Sequence, residues 1–130
     1  MNINIKTGID LVNIKRLKEL SPAIRDRFLK RVFTDFELEE AENNDQILAG
    51  KFAAKEAVAK TLGCGIGPVH WQDIEILHDN LGQPSLKLGG NAERLAHELK
   101  LENWSVSISH ESEYAVAVAV ACAFQEITKG

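Results

Sequence analysis

Three residues carry chemistry worth arguing from: Asp10 in the run GIDLV, and Glu56 and Lys60 in the run KFAAKEAVAK. Asp is disfavoured in strands, yet Asp10 interrupts an apolar, strand-like stretch. A carboxylate there is costly unless it is paired, binds a metal, or caps a helix starting at about Leu11. Glu56 and Lys60 are four apart, so on a helix they are surface neighbours. They make either a solvated ion pair or a cation ligand beside a lysine that meets phosphate. Magnesium takes one or two carboxylates plus substrate phosphates, so the second reading needs another acid from elsewhere in the chain. Asp10 is the candidate.

Each residue needs an element to hold it. Leu48 to Leu62 is rich in Ala, the best helix former, and the expected helix starts at an Asp45 N-cap. Ala49, Ala53 and Ala57 fall on one face, leaving room for a second backbone to lie close. Gly63 then stops the helix in the left-handed conformation. Asn2 to Val12 reads as a strand, with Gly8 allowing a bulge or close approach. Asn13–Leu20 and Pro22–Val32 read as short helices, Pro22 at a first helical position. Thr34 and Glu37 form a capping box opening a helix from Asp35 to about Glu42, with Glu39, Glu40 and Glu42 facing water.

In the second half, strands are expected at Trp71–His78, Ser85–Leu88, Trp104–His110 and Tyr114–Phe124, with a helix from Ala92 to Leu101 capped by Asn91. Trp104, Val106 and Ile108 alternate with Ser105, Ser107 and Ser109, so one face of that strand is all serine. The last strand, YAVAVAVACAF, is apolar on both faces and expects cover on both, part of it from another subunit. His70, His78 and His97 sit at no metal-ligand spacing, and a lone His110 at a turn is ordinarily a surface residue.

The totals exclude several classes. The 130 residues are 45% hydrophobic and 26% charged, an ordinary globular composition for one domain over 1–130. A net charge of −4 argues against nucleic acid as a partner. No apolar run has membrane length and MNINIKTGID lacks a leader's apolar core, so a cytoplasmic location is expected. Cys64 and Cys122 form no CxxC, so a structural zinc site is not expected and the thiols read as free. Against the acidic total, Lys15, Arg16, Lys18, Arg25, Arg27, Lys30 and Arg31 are seven of the 15 basic residues. They are either a solvated face or a docking surface for an acidic partner, with Phe28 and Leu29 as apolar anchors.

GIDLV, KFAAKEAVAK, GCGIG, the GQP turn and SISH occur in that order. Together they resemble the holo-[acyl-carrier-protein] synthase family of 4′-phosphopantetheinyl transferases, over nearly the whole chain. The pairing of G-[IV]-D with F-A-x-K-E-[AS]-x-x-K carries the specificity. The family more often has Arg at Lys51 and Thr at Cys64.

The resemblance implies an α+β fold, helices in the N-terminal half and a mainly antiparallel sheet in the C-terminal half. It implies transfer of 4′-phosphopantetheine from coenzyme A to a serine of apo-acyl carrier protein, as in fatty acid biosynthesis, releasing adenosine 3′,5′-bisphosphate. Asp10 and Glu56 match magnesium ligands. Lys60 matches the lysine on the coenzyme A phosphates. Pro84, Ser109 and His110 match nucleotide-pocket positions. Arg16 matches a carrier-docking arginine, and Arg25, Arg27 and Phe28 extend that surface. The serine proton goes to Glu56 or to water on the ion, and the sequence leaves both open. A homotrimer with active sites between subunits is implied as well. Two rival readings remain beside it: a magnesium-dependent nucleotide hydrolase, which would have no need of a basic helix, and a non-catalytic carrier-binding module.

Overall fold

A computed structural model describes residues 2–125 of the chain. The elements run β1 (Asn2–Asn13), α1 (Lys15–Lys18), α2 (Pro22–Val32), α3 (Asp35–Ala41), α4 (Asp45–Thr61), β2 (Ile74–His78), β3 (Pro84–Leu88), α5 (Gly90–Glu98), β4 (Asn103–His110) and β5 (Tyr114–Gln125). The α+β class is as expected. The strands form two antiparallel sheets, a three-stranded β1-β5-β4 sheet and the β2-β3 hairpin.

The register explains the doubly apolar last strand. Ala115, Ala117, Ala119, Ala121 and Ala123 turn inward and are buried. They lie beneath α4, whose Ala49, Ala53 and Ala57 are also fully buried. Small side chains on both surfaces let helix and sheet approach closely. The closest approach is at Gly8 of β1, where a β-carbon would run into the Ala57 carbonyl oxygen and the Thr61 hydroxyl. The other face of the sheet carries Ile3, Ile5, Ile9 and Leu11 from β1 and Val118 and Phe124 from β5, all exposed. Ser105, Ser107 and Ser109 of β4 share that outer face, while Trp104, Val106 and Ile108 pack inward.

Several boundaries differ from expectation, each for a local reason. The first helix is a single turn, because Asn13 stays in β1 opposite Tyr114 and accepts a hydrogen bond from the Lys15 N–H. Asn44, not Asp45, caps α4, its Oδ1 accepting from the Gln46 and Ile47 amides. Residues Trp71–Asp73 form a 3-10 turn before β2, in which the Asp73 carboxylate accepts from the His70 N–H. Gly89, not Asn91, caps α5, and Asn91 instead donates to the Pro68 carbonyl. The Thr34–Glu37 capping box forms as expected, with both of its hydrogen bonds present. Gly63 has φ +81° just past the end of α4 and donates to the Lys60 carbonyl.

Candidate active site

Asp10 is a strand residue, not a helix cap. Even-numbered β1 residues face α4, and Gly8 brings that part of the strand against the helix. Two residues further on, the Asp10 carboxylate therefore meets the last turns of α4. Lys60 Nζ lies 3.1 Å from Asp10 Oδ1 and donates to the Ile9 carbonyl at 2.9 Å. Among the described residues Lys60 makes its ion pair with Asp10, not with Glu56. The expected i,i+4 pair on the helix is thus replaced by one between elements, and Glu56 is left facing the cavity.

Asp10, Glu56 and Lys60 line one cavity of about 760 Å³ with Asn13, Arg16, Phe28, Phe52 and Tyr114. That size suits an extended small-molecule ligand. Burial raises the Glu56 carboxyl above its ordinary value, and the nearby Asp10 charge raises it further against the opposing pull of Lys60. Two carboxylates on one cavity wall, hard oxygen donors with open space in front of them, fit a divalent cation that also takes phosphate oxygens. Lys60 adds a half-exposed ammonium on the same wall. The arrangement can hold a polyanion and place a nucleophile beside it.

Phe52, Glu56 and Lys60 are successive four-residue steps along α4, so all three share the cavity face. That spacing is legible in KFAAKEAVAK, and it is the signal by which Phe52 could have joined the site from sequence. Tyr114 and Asn13 reach the cavity only through strand pairing across β1 and β5.

The structure does not bring every expected residue here. Pro84, the first residue of β3, lines a separate cavity with Trp104, Ser105 and Ser107. Ser109 and His110 are exposed at the end of β4 and do not line the Asp10 cavity. On the basic surface, Arg16 and Arg27 are exposed. Phe28 packs against Phe33 and Phe52 at the cavity edge. Arg25 is engaged within the chain: its guanidinium binds Asp45 at 2.6 Å, Asn43 at 3.0 Å and the Leu17 carbonyl at 3.1 Å. It ties α2 to the start of α4.

Another expectation fails nearby. Glu40 does not face water alone; it binds Lys51 and the His78 ring.

Comparison with known proteins places the chain in a family. The profile of the 4′-phosphopantetheinyl transferase superfamily matches residues 6–119. Holo-[acyl-carrier-protein] synthase of Caldicellulosiruptor bescii is 48% identical over 117 residues, 88% of this chain and 94% of that protein. The synthase of Caldanaerobacter subterraneus is 42% identical over 122 residues, 92% of this chain and 95% of its own. The crystal structure of the Helicobacter pylori synthase in complex with coenzyme A superposes with a TM-score of 0.80 at 31% identity, covering 88% of this chain and 98% of that one. That of the Bacillus anthracis synthase in complex with CoA (3′,5′-ADP) does so with 0.76 at 31% identity, covering 95% and 100%. With the matched profile spanning both GIDLV and KFAAKEAVAK, the chain belongs to the 4′-phosphopantetheinyl transferase superfamily, among its holo-[acyl-carrier-protein] synthases.

Proposed function

We propose that this chain transfers the 4′-phosphopantetheine of coenzyme A to a serine hydroxyl of apo-acyl carrier protein. The observation that carries the reading is the meeting of Asp10, Glu56 and Lys60 on one cavity wall beside the exposed Arg16. The serine oxygen attacks the pantetheine-bearing phosphorus. The pyrophosphate P–O bond breaks and adenosine 3′,5′-bisphosphate leaves. Lys60 places fixed positive charge where negative charge grows on the leaving phosphate. Glu56, which faces the cavity, is positioned to take the serine proton directly or through a water held beside it. Asp10 holds Lys60 in place, and Asp10 and Glu56 are the residues that would hold magnesium, which would supply positive charge to the phosphates during transfer.

The carrier docks on α1 and α2 through Arg16 and Arg27, with Phe28 as an apolar anchor; attraction between opposite charges sets encounter and register. We read residues 1–130 as one transferase domain. The outer sheet face, with Ile3, Ile5, Ile9 and Leu11 more than half exposed, supports assembly with further copies, as in a homotrimer. That Pro84, Ser109 and His110 do not line the Asp10 cavity of their own chain supports a site shared between subunits, in which those three residues meet the nucleotide bound at a neighbour's Asp10 and Glu56. Both cysteines are free thiols, in keeping with a reducing cytoplasm. Among the described residues no helix is long and apolar enough to cross a membrane.

Intact-mass spectrometry of apo-carrier protein incubated with this chain, coenzyme A and magnesium tests the reading. A phosphopantetheine-sized gain is expected. Release of adenosine bisphosphate without carrier would favour the hydrolase, and carrier binding without a mass gain would favour the non-catalytic module.

A further inference from the structure

The mechanism uses none of the buried charges Glu37, Lys51 and Lys55, although all three side chains are fully enclosed. Their partners explain them. One edge of β2 pairs with β3. The opposite edge offers the Ile74 carbonyl, the Ile76 amide and carbonyl and the His78 amide, and among the described residues no strand lies against it. Side chains take the place of that strand. Lys55 Nζ donates to the carbonyls of Ile74 at 2.6 Å and Trp71 at 3.0 Å. Glu37 accepts from the Ile76 N–H at 2.9 Å, and Lys51 donates to the Ile76 carbonyl at 2.6 Å. Glu40 accepts from the His78 N–H through both oxygens at 3.1 Å.

The four side chains also pair among themselves, Lys55 with Glu37 at 2.6 Å and Lys51 with Glu40 at 2.5 Å. They form two ionic rungs, the lysines four apart on α4 and the glutamates three apart on α3. The inner rung is sealed. The outer rung is open to water on the Glu40 side and is extended by the His78 ring, 2.7 Å from Glu40.

This ladder fastens the hairpin to α4 and so fixes it on the body of its own chain, from which Pro84 would reach the nucleotide held at a neighbour's Asp10 and Glu56. Its outer rung ends at His78, which pairs directly with Pro84 across the hairpin. Charge-assisted hydrogen bonds are short and directional, so side-chain length sets where the Pro84 turn stands relative to α4. We infer that Glu40 and Lys51 are positioning residues for the nucleotide half of coenzyme A, acting through the His78–Pro84 end of the hairpin and touching no substrate themselves. The inference rests on the proposed reading of Pro84 as a nucleotide-pocket residue.

Calorimetric titration of the full chain with adenosine 3′,5′-bisphosphate and magnesium separates the two claims. The proteins compared are the unaltered chain, Pro84→Gly, Lys51→Met, Lys51→Arg and Glu40→Gln, each checked for cooperative thermal unfolding. Lys51→Met leaves Glu40 its His78 contacts and water, so the fold has an alternative partner for the charge. Should Lys51→Met nevertheless fail to unfold cooperatively, Glu40→Gln carries the comparison. Both variants are expected to weaken nucleotide binding on the order of tenfold. Lys51→Arg, which restores a cationic donor, should recover most of it. In turnover assays the KM for coenzyme A should rise in the same variants while the KM for carrier protein stays unchanged. Weakened binding in Pro84→Gly with normal binding in Lys51→Met and Glu40→Gln would overturn the positioning role and leave the Pro84 reading intact. Normal binding in Pro84→Gly would remove that reading and the inference with it. Equal rises in both KM values would reduce the ladder to a structural brace.

Discussion

Arg16 and Arg25 look alike in the sequence and separate completely in space. Arg16 is exposed at the cavity mouth, whereas Arg25 is satisfied by Asp45, Asn43 and the Leu17 carbonyl. Their substitutions should therefore fail in different assays. Arg16→Glu is expected to raise the KM for carrier protein by about tenfold, leaving the thermal midpoint and the KM for coenzyme A nearly unchanged. Arg25→Ala should lower stability by about 2–3 kcal/mol, read by urea unfolding, through loss of hydrogen bonds to a charged group. A KM effect from Arg25→Ala at full stability would return that residue to the docking surface. Composition and spacing exposed the basic cluster but not this division, because whether an arginine is free depends on distant residues such as Asp45. The same limit hid the role of Lys51 and Lys55. In an Ala-rich helix they read as good helix formers, and their acids come from α3, where the glutamates looked solvated. Asp10, Glu56 and Lys60 were legible because each is an unusual residue for its place or lies at a telling interval; the Asp10–Lys60 pair was not, since it depends on how closely β1 meets α4.

At the scale of elements, that approach is governed by Gly8 and by the alanine face of α4. A methyl group at Gly8 meets the Ala57 carbonyl, which is fixed in the helix and cannot move aside. β1 must shift outward and take Asp10 with it. Gly8→Ala should thus cost roughly 2–3 kcal/mol in urea unfolding. It should also raise the magnesium concentration needed for half-maximal activity; an unchanged magnesium requirement would mean that the Asp10–Glu56 separation is set elsewhere. The ladder between α3, α4 and β2 adds a pH signature. Burial pushes the Glu40 carboxyl up, but the hydrogen bonds from Lys51 and His78 outweigh it and bring it down to about 2. A carboxyl lowered on folding stabilises the native state above its unfolded pKa of 4.5, and that contribution fades as pH falls toward 2. Discounted for a side chain about one-third exposed, it amounts to about 1–2 kcal/mol. The stability gap between the unaltered chain and Glu40→Gln should be full at pH 6 and shrink steadily below pH 4.5. A constant gap across that range would place the origin of any difference outside the titration of Glu40.

For the molecule as a whole, the open question is where one active site ends and the next begins. A single chain keeps Asp10, Glu56 and Lys60 in one cavity and carries Pro84, Ser109 and His110 elsewhere. It also exposes the apolar outer face of β1 and β5, which water penalises and a second sheet would cover. If copies complete one another's sites, two crippled chains can make a sound one. Glu56→Gln should lower turnover by about 10²–10⁴-fold as the proton acceptor is lost, and His110→Ala should weaken coenzyme A use. Co-expressed in equal amounts with different tags and purified as mixed assemblies, they should regain about a third of the unaltered activity per site, because each mixed cyclic trimer has one of its three interfaces with a sound Glu56 facing a sound neighbouring His110. A site contained within one chain has no such rescue: every chain in the mixture carries one lesion, and activity would stay at the average of the two variants. Ile5→Lys with Ile9→Lys on the outer face should abolish the rescue by keeping the chains apart in sedimentation. Rescue that survives in sedimenting monomers would require a different interface.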